Sequence, residues 1–92
     1  MVVAVVTWDL HLNDCASLKD KRRILKSLKD RLRHQNVSVA ETASHDLWQR
    51  AELSCCVVAA NRRRAEQTLA AADRLVAAAP LARIIDSSTS FL

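Results

Sequence analysis

The sequence predicts an α+β fold with six elements in the order β-α-β-β-α-β. Two segments, 2–12 and 47–60, alternate in polarity with a period of two. Two others, 18–34 and 62–79, repeat apolar residues at helical spacing. Two shorter β-branched runs, around Val37 and Val39 and around Ile84 and Ile85, fill the remaining strand positions. With right-handed β-α-β crossovers this order gives a four-stranded antiparallel sheet with two helices on one face, the ferredoxin-like arrangement.

In the first strand the even positions Val2, Ala4, Val6, Trp8, Leu10 and Leu12 are all apolar and mark the core face. The odd positions Val3, Val5, Thr7, Asp9 and His11 turn polar toward the end. Ser17 is a good N-cap for the first helix, and Asp20 stands where the helix dipole favours an acid. Leu18, Ile24, Leu25, Leu28 and Leu32 share one helical arc and face the core. Asn36 breaks the chain before a second strand that ends near Thr42, and residues 43–46 form a polar turn. In the third strand Ala51, Leu53, Cys55, Val57 and Ala59 face inward, while Trp48, Arg50, Glu52, Ser54 and Cys56 take the outer face. Asn61 caps the second helix, Ala65, Leu69, Ala72, Val76 and Ala79 form its inner side, and Pro80 stops it. The last strand is expected over 81–86, with the polar tail 87–92 frayed.

A chain of 92 residues is expected to form a single domain, 1–92. Fifteen alanines and only three aromatic residues imply a thin core. No apolar run is long enough for a membrane span, and residues 1–8 lack the basic region of a signal peptide. Glycine is absent, which removes Walker and dinucleotide-type phosphate loops and leaves the turns to Asn, Asp, Ser and Pro. The cysteines Cys15, Cys55 and Cys56 are odd in number and suit reduced thiols in a cytoplasmic protein.

Four sequence runs carry a family resemblance. They are the opening strand 2–12, Ser-Leu-Lys-Asp-Lys-Arg at 17–22, Asn-Val-Ser-Val-Ala-Glu at 36–41 and Asp-Leu-Trp-Gln-Arg-Ala at 46–51. Together they resemble the YlxP-like family of bacterial proteins of unknown function (domain of unknown function 503). The resemblance implies a ferredoxin-like fold, a bacterial cytoplasmic setting and, from the company such genes keep, a role near RNA or the ribosome. It implies no catalytic residues. Family members tend to carry glycine where this chain has Ala4 and, in the third strand, Ser54 or Cys55.

Charge points to a partner. The net charge is +4, yet the stretch 18–34 alone holds eight cations and two acids. Lys19, Arg22, Lys26, Lys29 and Arg33 repeat at three- and four-residue spacing and form one stripe. Lys19, Lys21, Arg22 and Arg23 crowd a helix start, against the dipole, as an anion site would require. Lys21 falls inside the apolar arc, which also suits a pairing with Glu41 or Asp46. Arg62, Arg63 and Arg64 open the second helix, and both basic starts are expected on one molecular edge.

The leading expectation is a non-catalytic module that binds RNA or a ribosomal particle through these ten cations. Val3, Val5, Trp48, Arg50 and Cys56 are the expected partner or base contacts on the outer sheet face. The alternative is a homo-oligomer built through that face. A third is an enzyme in which His11, Asp9 and His45 converge. No cofactor, metal site or membrane partner is expected.

Overall fold

The computed structural model describes all 92 residues. Its elements are β1 (Val2–Leu12), α1 (Leu18–Arg33), β2 (Ser38–Ala43), β3 (Arg50–Ala59), α2 (Arg62–Ala77) and β4 (Ala82–Phe91). The sheet order is β2-β3-β1-β4, and every neighbouring pair is antiparallel. This is the ferredoxin-like topology predicted from the sequence.

Local chemistry sets the boundaries. Ser17 accepts a hydrogen bond from the Asp20 N–H, and Asn61 accepts one from the Arg64 N–H, so both helices begin on side-chain caps. With no glycine available, the left-handed turn positions fall to Asp14, Asn36 and Ser44. The even face of β1 is buried from Ala4 to Leu12 and packs with Leu25, Leu28 and Leu32 of α1. Ala65, Leu69, Ala72 and Val76 of α2 complete that face of the core. The two fully buried alanines of α2, Ala65 and Ala72, let the helix approach the sheet closely enough to cover Trp8. The Trp8 Nε1–H donates to Asp73 Oδ1 at 3.0 Å, satisfying the one polar group of that ring.

Three expectations are corrected. First, the chain from Ser87 to Phe91 does not fray. It continues β4 and pairs with β1 as far as Ala4↔Phe91, because the eleven-residue β1 offers a long free edge. Second, β3 begins at Arg50, not at 47, and Trp48 lies in the preceding loop rather than on the sheet face. Third, the two helices do not start at one edge. β1 and β3 are antiparallel, with His11↔Arg50 at one end and Val2↔Ala59 at the other. A helix leaving the end of β1 and one leaving the end of β3 therefore start at opposite ends of the molecule.

Candidate nucleic-acid interface

The basic stripe of α1 is present as predicted. Lys19, Arg22, Lys26 and Arg33 are exposed and Lys29 is half-buried. Fourteen residues of helix separate its ends, about 21 Å. Three of these cations, Lys19, Arg22 and Lys29, make no ion pair, while Lys26 and Arg33 share Asp30 at 3.0 and 3.2 Å. The Lys26 hydrogen bond, helped by the charges of Lys26 and Arg33, holds the Asp30 carboxyl below its usual pKa of 3.8. Both pairs are solvent-exposed and therefore weak, so Lys26 and Arg33 are held only loosely by Asp30. Arg23 leans back on Asp20 of the first turn at 2.7 Å.

The stripe ends beside the second basic group. Arg33 lines a shallow cleft with Asn36, Val37 and Val58, and Arg64 lines an adjoining one with Gln35, Asn36 and Val58. Arg62–Arg64 thus extends the far end of the stripe instead of joining Lys19–Arg23. Arg62 is engaged on both sides, over the Phe91 ring at 4.0 Å and against Glu66 at 3.0 Å. Arg63 faces solvent next to Asn61 and Gln67.

Lys21 is not a surface cation. It is 2% exposed, the one charged residue in the buried set. Its ammonium lies 2.9 Å from Glu41 Oε2, a charge contact without hydrogen-bond alignment. It donates to the Ser44 carbonyl at 2.6 Å and reaches the His45 carbonyl at 3.4 Å. The expectation that Lys21 contacts phosphate is therefore corrected: of the two alternative acids, Glu41 is its partner, and burial withdraws the ammonium from any surface anion.

The outer sheet face divides into two halves. Val3 pairs with Val58 and Val5 with Cys56, making one half apolar. The other half is polar, with Thr7, Ser54, Thr42 and Glu52 joined in a chain of hydrogen bonds and Arg50 on Asp9 at 2.6 Å. Glu52, Asp9 and Asp86 stand in one row across three strands. The third carboxylate depends on a bulge at Ile85, which turns Asp86 to the same face as Asp9. That row was missed from the sequence. Its one sign is the adjacent Ile84-Ile85 pair, which breaks alternation. An open cleft of about 280 Å³ lies over it, lined by Thr7, Asp9, Arg50, Glu52 and Asp86 among others. Neither His11 nor His45 lines it, and the His45 ring instead meets the Glu41 carbonyl at 3.2 Å. No group of metal-ligating side chains is present, and no helix is long and apolar enough to cross a membrane.

Trp48 is 52% exposed and stands beside Leu47, which is 54% exposed. Their loop lies at the end of the sheet where β1 finishes and α1 begins. The Leu12 N–H bonds the Gln49 carbonyl at 2.8 Å, and Lys21 of the first α1 turns holds Ser44.

Topology and surface together define a small ferredoxin-like α+β domain with a cationic helix and a half-apolar open sheet. Residues 3–89 match the family described as "Protein of unknown function (DUF503)", and the chain belongs to that family. It is 37% identical over 57 residues to the uncharacterized protein YlxP of Bacillus subtilis (strain 168). That match spans 61% of this chain and 62% of the Bacillus protein. Among solved structures, a designed protein with a ferredoxin fold superposes with a TM-score of 0.53 at 16% identity, covering 100% of this chain and 83% of its own. A candidate chlorite dismutase gives 0.58 at 16% identity, covering 99% of this chain and 44% of its own. At such identities the likeness is one of fold.

Proposed function

We propose that this chain is a non-catalytic RNA-binding module of the bacterial cytoplasm that docks on a ribosomal particle. The observation that supports this reading is the α1 stripe, five cations along about 21 Å with three of them unpaired. Lys19, Arg22 and Lys29 hold phosphates first, with Lys26 and Arg33 recruited from Asp30. Arg63 and Arg64 extend the track past the end of the helix. The carboxylate row on the sheet repels phosphate, so RNA lies on the helical side and not across the strands. The test is affinity capture from the native host at low and high salt, with sequencing of the recovered RNA. Ribosomal RNA held at low salt and released at high salt is the expected result. Equal recovery by Lys19→Glu/Arg22→Glu/Lys29→Glu would sink the reading. Only Lys19→Glu places an acid in the first turn, where the dipole favours it, so circular dichroism of the triple variant separates loss of binding from loss of fold.

A second reading, a homo-oligomer, is favoured by the apolar half of the sheet. Val58 is 62% exposed and no helix covers it, so a second copy is its simplest occupant. Light scattering tests this, and a monomer at micromolar concentration would exclude it.

A further inference from the structure

The geometry points to a base-stacking site on the loop between β2 and β3. We infer that the RNA held along α1 is single-stranded and lays one base on the Trp48 indole. This rests on the RNA reading above and deepens it.

The loop is unusual in how firmly it is held and how little it buries. Taking an ammonium and a carboxylate out of water is unfavourable unless other groups compensate. Here Lys21, 3% exposed in its side chain, faces Glu41 and completes its shell with the Ser44 and His45 carbonyls. Ser44 also adopts φ 63°, a left-handed conformation unfavourable for a residue with a Cβ. The Leu47 N–H returns to the Ser44 carbonyl at 3.1 Å, and Gln49 is tied to Leu12. All residues from 45 to 49 are nonetheless exposed. The anchoring therefore also fixes the outward side of the loop, which displays Leu47 and Trp48 in solvent. A fixed indole loses little conformational freedom when a flat ligand settles on it.

The chemistry of that ligand follows from its neighbours. Lys21 stands between Lys19 and Arg22 in sequence but on the buried face of α1, so the clamp ties the Trp48 loop to the end of the helix at which the exposed stripe begins. The hollow at Trp48 is lined by Asp46, Leu47, Gln49 and Arg50, so the indole stands beside one guanidinium at the end of the molecule where the stripe begins. That suits an unpaired base on a charged backbone, and every base has a face to stack. A duplex offers no such face along its length, since its bases are already stacked on each other. The oligomer reading is a poorer account of Trp48, because the loop lies off the apolar half of the sheet formed by Val3, Val5 and Val58.

The molecule carries its own reporter. Of the two tryptophans, Trp8 is fully buried and bonded to Asp73, so a change in emission on binding belongs to Trp48. The experiment titrates the full chain with fluorescently labelled octauridylate at low salt, reading probe anisotropy and tryptophan emission together. The expected result is quenching that saturates with the anisotropy. Trp48→Ala then binds about tenfold more weakly while Trp48→Phe keeps most of the affinity. A hairpin duplex of equal charge binds less tightly and leaves the emission unchanged. If anisotropy reports binding while emission stays constant and Trp48→Ala binds like wild type, the stacking site is wrong and the RNA reading stands. If no RNA binds at all, both fall.

Discussion

Lys21 shows how one residue links core, loop and surface. Its side chain crosses the edge of the core because it shares the apolar arc of α1 with Leu25, Leu28 and Leu32. Removing the ammonium strands Glu41, the Ser44 carbonyl and the clamp at once. Lys21→Met is therefore expected to lower stability by about 3 kcal/mol, and adding Glu41→Leu to recover much of the loss, measured by urea unfolding of both variants. The burial of Lys21 was legible in the sequence from its place in the arc and a carboxylate within reach. The position of Trp48 was not, because alternation continues upstream of Arg50 in the sequence while the pinned carbonyls of Ser44 and His45 hold the backbone in a turn. Cysteine chemistry gives a second prediction at this scale. Burial, with the adjacent Cys56 charge, raises the Cys55 thiol from 9.0 to about 11. Its folded pKa exceeds the unfolded one, so the fold is favoured fully below pH 9.0 and that contribution is lost as pH rises toward about 11. Thermal stability should fall across that window and fall less in Cys55→Ala. In native alkylation followed by mass spectrometry, the half-buried Cys56 should react before Cys15 and Cys55.

Among the elements, the helices and β1 were legible almost to the residue, since caps and apolar spacing are local properties. β4 was not. A run of Ser87-Ser88-Thr89-Ser90 has no apolar alternation, and only pairing with the distant β1 makes it a strand. Amide hydrogen exchange checks this: residues 86–91 should show protection comparable to β1, whereas a frayed tail would exchange as fast as an unfolded chain. The same non-local cause hid the carboxylate row, which exists only in the β3-β1-β4 register and with a bulge at Ile85. Helix direction was deducible in principle, because antiparallel β1 and β3 force opposed crossovers. Placing both basic starts on one edge was an error of topology, not of chemistry.

For the whole molecule, these corrections reorganise the charge without removing it. The cations form a track that runs down α1 and turns at Asn36 and Val58 toward Arg64, while three of the ten acids, Asp9, Glu52 and Asp86, line up on the open sheet. One face is then suited to phosphate and the other unsuited to it, a separation that net charge alone does not reveal. The measurement that tests this most directly is the salt dependence of single-stranded RNA affinity for wild type and Lys19→Glu/Arg22→Glu/Lys29→Glu. Seven phosphates on a single strand, five along α1 and two at Arg63 and Arg64, predict a log–log slope of about −5, reduced to about −3 in the variant. A slope near zero, or one unchanged by reversing these three charges, would contradict the account and leave α1 as an ordinary solvated helix.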